Sequence, residues 1–398
     1  VSDRHLPVRP NLDQLKHQAK DLLRDMKRAQ PDGKLSEAQF ALARSYGVSS
    51  WPRLVLACRI VDAISRDDVD AVRELVVKYP NLLHEMARGT ESCNWGAPMS
   101  YAANLGRDRI IETLHDLGAK DHTHALGRAL LQGRIETAGL LERLGARAPR
   151  GAAIGCAEAQ NDRGMAYALK FGAELGDDRH PLAAVAMLLE TYSRNPQGKH
   201  GCLELFAQHG VVLPDTPPMA VHRGRIDLLE DHLRRDPTML RRTYSHDDIY
   251  PSALGCHADG TLALHGTPLA GSTLLHICVD FDEIEVARWL LDRGTPVDVR
   301  ADIDADSFGG HTALFGCVVS YPHLNRRQKD ASFARLLLDR GADPNARASL
   351  RKQLRFVPDE SLHEYRDVTP LSWGQRFHGR EMVSEPAMRL IAERGGRP

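Results

Sequence analysis

The chain has 398 residues, with 52 Lys and Arg against 53 Asp and Glu, a formal charge of −1. That balance offers no field to gather phosphates, and 6% aromatics make no platform for bases, so nucleic-acid binding is not expected. No apolar run reaches the ~18 residues of a membrane span, and Val1–Pro10 is polar, without the apolar core of a secretory leader.

Leu12, Leu15, Ala19, Leu22, Leu23 and Met26 recur at steps of three and four, the spacing of an amphipathic helix. Pro31-Asp32-Gly33 ends it. A second helix is expected over about 36–46. Ser50-Trp51-Pro52 reads as an N-cap with proline in the first turn of a third. Residues 1–57 are therefore expected to form a three-helix N-terminal cap.

Repeats follow. Gly106-Arg107, Gly133-Arg134 and Gly224-Arg225 each separate two short apolar segments, and Gly118, Gly145 and Gly172 recur at the ends of the second segments. Toward the C-terminus the pattern is fuller. Residues 271–300 read GSTLLHICVDFDEIEVARWLLDRGTPVDVR, 310–347 repeat the theme, and 369–396 close the chain. Each unit presents an apolar face, such as Ile284, Val286, Ala287, Leu290 and Leu291, that neither helix buries alone and stacking does.

These units resemble ankyrin repeats. Thr273-Leu274-Leu275-His276 stands at that family's T-P-L-H, and Leu337 through Asn345 match its helix end and turn. The resemblance covers about 58–398 and implies an all-α solenoid of about nine units with long C-terminal loops. Residues 58–240 are expected as short, irregular units, 241–271 as a long inserted loop, and 272–398 as better-matching repeats. Further insertions are expected at 321–331 and 348–368. Any strands should be short finger hairpins. The helical lead-in resembles that of many bacterial ankyrin-like proteins.

Seven cysteines, odd in number and scattered, form no disulfide framework and point to a reducing cytoplasm. Cys256, His257, His265, His276, Cys278, His311, Cys317 and His323 lack metal-ligand spacing, so no metal site is expected. The register assigns Cys156, Cys278 and Cys317 to small buried positions, and His276 to the turn-bonding position of T-x-x-H. DADSFGGH (304–311) lacks the spaced ligands of a calcium loop; it reads as a finger turn reversed by Gly309-Gly310. No phosphate loop, nucleophile elbow or cofactor motif is present.

The resemblance implies that the first helix of each unit lines an inner groove. One row of that lining runs Asn104, Leu131, Glu158, His222, Asp280, Val319, Arg376. The expectation is a cytoplasmic protein-binding module. Tyr101, Arg128, Glu158, Arg223, Phe281, Trp373 and Arg376 are its groove contacts, since aromatic and Arg side chains dominate interface energetics. The alternative is an enzyme or a sensor of a small organic ligand, roofed by 241–271. There His222 would be the general acid or base, Asp280 would orient it, Arg376 would hold an anionic group, and Tyr250 and His257 would complete the pocket.

Overall fold

The computed structural model describes residues 6–90, 94–321 and 330–398. The expected insertion at 321–331 lies largely outside these residues, as do Cys93 and His323. Helix makes up 54% of the described residues. Among the described residues no helix is long and apolar enough to cross a membrane.

Contacts divide the chain into two units, residues 1–152 with 170–173, and 153–169 with 174–398. In unit 1, α1 (Leu12–Ala29) and α2 (Leu35–Ser45) form a hairpin beside three helix pairs. These are α3 (Trp51–Ser65) with α4 (Val69–Lys78), α5 (Pro98–Leu105) with α6 (Asp108–Asp116), and α7 (His122–Leu131) with α8 (Ile135–Arg143). The first members stack α3 on α5 on α7, and α4 meets α6 behind them.

Unit 2 continues with α9 (Ala152–Glu158) and α10 (Asp162–Lys170), α11 (Ala183–Glu190) and α12 (Pro196–Gln208), and α13 (Pro217–His222) and α14 (Ile226–Arg235). A single turn of helix, α15 (His246–Ile249), precedes α16 (Leu274–Phe281) and α17 (Ile284–Asp292). The last pairs are α18 (Ala313–Val318) with α19 (Ser332–Asp339), and α20 (Pro370–Arg376) with α21 (Glu385–Glu393). Here α13, α16, α18 and α20 stack in order as the inner layer. The described pairs number nine.

The same backbone device closes inner helices in both units. A residue in the left-handed region follows the helix: Asp67, Gly106, Gly133, Gln160, Gly224 and Asp282, with φ from 49° to 69°. The next amide then bonds back to Ala63, Ala102, Ala129, Cys156, Ala220 or Cys278, which satisfies an orphan carbonyl. Those six acceptor residues are at most 1% exposed. Being small, they let neighbouring inner helices approach. Cys156 and Cys278 thus serve as compact apolar groups, as the register implied. Outer helices end the same way on Gly118, Gly145, Gly210, Gly294, Gly341 and Gly395.

Three expectations change. The third N-terminal helix runs from Trp51 to Ser65 and pairs with α4, so the lead-in has only two helices of its own. They dock through Leu6, Leu15, Ala43 and Val48 onto Leu54 and Cys58 of α3. Residues 241–271 are not a bare loop: they hold β1 (Thr243–Tyr244), α15 and a 3₁₀ turn at Ser252–Leu254. β1 pairs antiparallel with β2 (Ser272–Thr273). Residues 348–368 form a hairpin of β3 (Ala348–Gln353) and β4 (Leu362–Val368), with Leu350 opposite Tyr365 and Lys352 opposite His363. It exceeds a finger turn because buried Ala348, Leu350 and Tyr365 give it an inward apolar face. The expected finger at 304–311 is present, with Asp304 accepting from the amides of Asp306 and Phe308. At Gly309, φ is 118°, and a Cβ would overlap the Asp302 carbonyl oxygen.

Candidate functional site

The middle of the expected inner row is buried in unit 2. His222, Asp280 and Val319 are at most 2% exposed. What covers them is the insert 241–271. Its Leu264 amide donates to Glu190 O at 2.9 Å, and its Gly266 amide to Asp280 Oδ1 at 3.2 Å. Thr267 Oγ1 donates to Val319 O at 2.9 Å and accepts from Trp373 Nε1 at 3.3 Å. His311 Nε2 lies 3.0 Å from Pro268 O. At Gly266 a Cβ would overlap the backbone of Ser320, so only glycine permits this approach.

Arg194, which the sequence reading did not single out, organises the cover. Its guanidinium donates to Thr191 O, Ser193 O, Leu264 O and Asp280 O at 2.7–2.9 Å. It also bonds Asp280 Oδ2 at 2.7 Å, with both side chains nearly inaccessible. A buried carboxylate takes the strongest donors in reach, and here Arg194 and the Gly266 amide are among them.

The acid–base dyad of His222 and Asp280 is therefore not formed. His222 Nε2 donates to Ile249 O at 2.9 Å, and among the described residues Nδ1 has no hydrogen-bond partner. The ring meets Phe281 edge-on at 4.6 Å. Burial first, then the charge of Lys199, holds it well below the ordinary histidine range, so it stays a neutral core imidazole. Asp280 is a structural anchor of the insert rather than an orienting group. Tyr250 is 1% exposed, a core ring rather than a lid tip. His257 remains at the surface and clips the insert to α11 through Glu190, 2.8 Å from Nδ1.

Three aromatic groove residues are also core. Tyr101 is fully buried, donates to Val8 O and lies against Trp95 at 4.7 Å. Trp373 is fully buried, between the edges of Tyr365 and Phe377 at 4.8 Å. Phe281 is the hub of a buried cationic cluster. Arg194 sits 4.9 Å and Lys199 Nζ 4.4 Å from its ring centre, and Lys199 pairs with Glu283 at 3.0 Å. Large apolar rings on short inner helices fill the space between pairs, which is why they cannot also face a partner.

The polar candidates keep surface. Arg376 is exposed and reaches the Tyr365 ring at 6.0 Å. Glu158 is partly exposed and accepts from Tyr192 Oη at 3.1 Å. Arg223 is partly exposed and donates to Glu204 at 2.8 Å. In unit 1, Arg128 on α7 is partly exposed, donates to Asn104 Oδ1 at 2.9 Å and lies 5.7 Å over the ring of Trp95. Trp95 and Leu131 are partly exposed beside it.

Among the described residues no three His, Cys, Asp or Glu side chains gather as metal ligands. Cys256 is buried, and burial pushes its thiol up. His276 fills its T-x-x-H role: Nδ1 faces Thr273 Oγ1 at 2.9 Å, and Nε2 reaches His311 O in the next unit at 3.1 Å.

Residues 270–302 match the ankyrin repeat family model. The match spans β2, α16 and α17, and the same helix pair recurs along both units, an all-α ankyrin-type array. The human ASB11 ankyrin repeat domain is similar over 76% of this chain and 99% of that one, at 17% identity and a TM-score of 0.29, a likeness too slight to argue from. No curated protein matches the chain.

Proposed function

We propose that this chain is a protein-binding module whose contact face is the inner layer of unit 1. Ankyrin repeats generally act as protein-interaction modules. The observation that carries the choice of face is the self-coverage of unit 2: the middle of its inner row lies under its own insert, while on α7 Arg128 and Leu131 keep part of their surface beside Trp95. A partly exposed tryptophan under a guanidinium is the composition that carries binding energy at interfaces. The described cysteines are all unbridged and buried, which suits a reducing, cytoplasmic setting.

The test is photocrosslinking. A photoreactive residue in place of Leu131 should capture one defined protein from extracts of the source cell. The same residue in place of Val212, 87% exposed elsewhere, should not. Trp95→Ala with Arg128→Ala should abolish the adduct. Equal adducts at both positions, or none at 131, would reject this face.

A second reading is a small polar ligand enclosed beneath the insert. It is favoured by His222 Nδ1, Tyr250 Oη and Ser193 Oγ, buried polar atoms without a hydrogen-bond partner among the described residues, since such groups normally have one. A thermal shift with a small organic compound, lost in Tyr250→Phe, would support it; no shift across a metabolite library would dismiss it.

A further inference from the structure

Strand β3 alternates: Ala348, Leu350 and Lys352 face inward, and Ser349, Arg351 and Gln353 outward. The third inward position places an amine where the pattern calls for an apolar group, and Lys352 is 6% exposed. A buried ammonium normally has a carboxylate partner. Among the described residues Lys352 has none within ion-pair distance; its polar contact is His265 Nδ1 of the insert, at 3.1 Å.

The same Nδ1 lies 3.1 Å from Thr267 O. A carbonyl oxygen only accepts, so Nδ1 reaches it as an N–H and has no lone pair left for an ammonium. An amine that shares that N–H does so as a neutral acceptor. Burial, aided by Arg194 and opposed by Asp280, brings Lys352 down to about 7, in keeping with that state. Burial and then Lys352 hold His265 well below its ordinary value.

We propose that the Lys352–His265 contact is a proton-counting latch, by which the hairpin holds the insert over the inner helices of unit 2 at alkaline pH and loosens it as the pH falls toward neutrality. The charged and titratable groups around it come from every element that packs there. Lys352 faces His265 of the insert, Asp280 of α16, Arg194 ahead of α12 and His378 after α20, and stands opposite His363 of β4. His265 faces these, the ring of Tyr250 at 6.3 Å, and His246.

The direction follows from proton counting. With the latch open, Lys352 returns to roughly 10.4, the ordinary lysine value. Between about 7 and that value the open form binds the extra proton, so closure strengthens as pH rises, by up to about tenfold per unit. Below about 7 both forms are protonated at Lys352 and its contribution is flat. Below roughly 6.5 His265 adds a further loss of the same sign.

Hydrogen exchange on the full chain tests this. Protection of the segment 262–267, corrected for the intrinsic rate, should rise at least about tenfold from pH 7 to 8.5. In Lys352→Met it should stay flat over the same range. Wild-type protection that does not change, or a Lys352→Met variant that keeps the rise, would overturn the latch. Should that variant misfold, competitive trace acetylation of the native chain gives the titration of Lys352 directly. A midpoint near 7 supports the latch, and one above 10 overturns it.

Discussion

Replacing Arg194 with methionine removes a buried cation but keeps most of its volume. Asp280 loses its guanidinium partner and keeps the Gly266 amide, and the carbonyls of Thr191, Ser193 and Leu264 each lose a bond. Breaking one side of a buried ion pair typically costs about 3–5 kcal/mol. With both side chains nearly inaccessible, solvent offers no screening to lower that figure. For a domain the size of unit 2, about 2–4 °C per kcal/mol gives a fall in Tm of about 6–20 °C. The double variant Arg194→Met/Asp280→Leu removes both charges. It should recover at least about half of the loss, because the penalty lies in the orphaned carboxylate more than in the missing pair. Calorimetry and urea denaturation of wild type, both singles and the double complete the cycle. A single-variant loss below about 1 kcal/mol, the range of surface pairs, would refute the reasoning, as would strict additivity in the double.

Acid should weaken unit 2 through its core imidazoles. Burial lowers His276 to about 4 and His311 to about 3, so the unfolded chain binds more protons below its ordinary histidine value. The contribution of these imidazoles is then full above pH ~6.5 and falls toward pH 4, by about 3 kcal/mol for His276 alone; urea midpoints at pH 7.5, 5.5 and 4.5 measure it, and no fall would count against neutral burial. Gly309→Ala should destabilise by more than Gly294→Ala. Both add left-handed strain of about 1–2 kcal/mol, but only at 309 does the new methyl strike a carbonyl; equal losses in thermal melts would contradict the packing there. Trp373→Ala should lose about 3–5 kcal/mol of stability as a core truncation. A variant that melts like wild type would return the ring to the surface.

The helix pairs were legible because their punctuation is glycine. Gly106, Gly133 and Gly224 mark inner turns, and Gly118 and Gly145 mark outer ends. The same left-handed position is filled by Asp67, Gln160 and Asp282 in other units. A residue with a side chain there gives no glycine signal; the unit of Asp282 was legible all the same because Thr273 to His276 supply a second local motif, which the units of Asp67 and Gln160 lack. His276 was placed correctly because T-x-x-H is a local motif. The row from Asn104 to Arg376 was read from register, yet register says nothing of what lies on top of a helix. Arg194 is the clearest case: it sits in a short connection before Asn195-Pro196, and its partner Asp280 is 86 positions away. No periodicity links two such residues. The aromatic rings failed differently, because Tyr101, Phe281 and Trp373 look like hot-spot residues in a sequence and like filling in a stack.

The insert also changes how unit 2 comes apart. A plain repeat array interacts only with its neighbours and frays from its ends, one pair at a time. Here Arg194 ties to Asp280 across 86 positions and Thr267 to Trp373 across 106. Each such tie must break before the pairs it spans can separate independently. Contacts of that sequence separation slow the search for the native state. They also bind the last pair to the insert and the insert to α11, so the segment from 190 to 373 melts as one cooperative block.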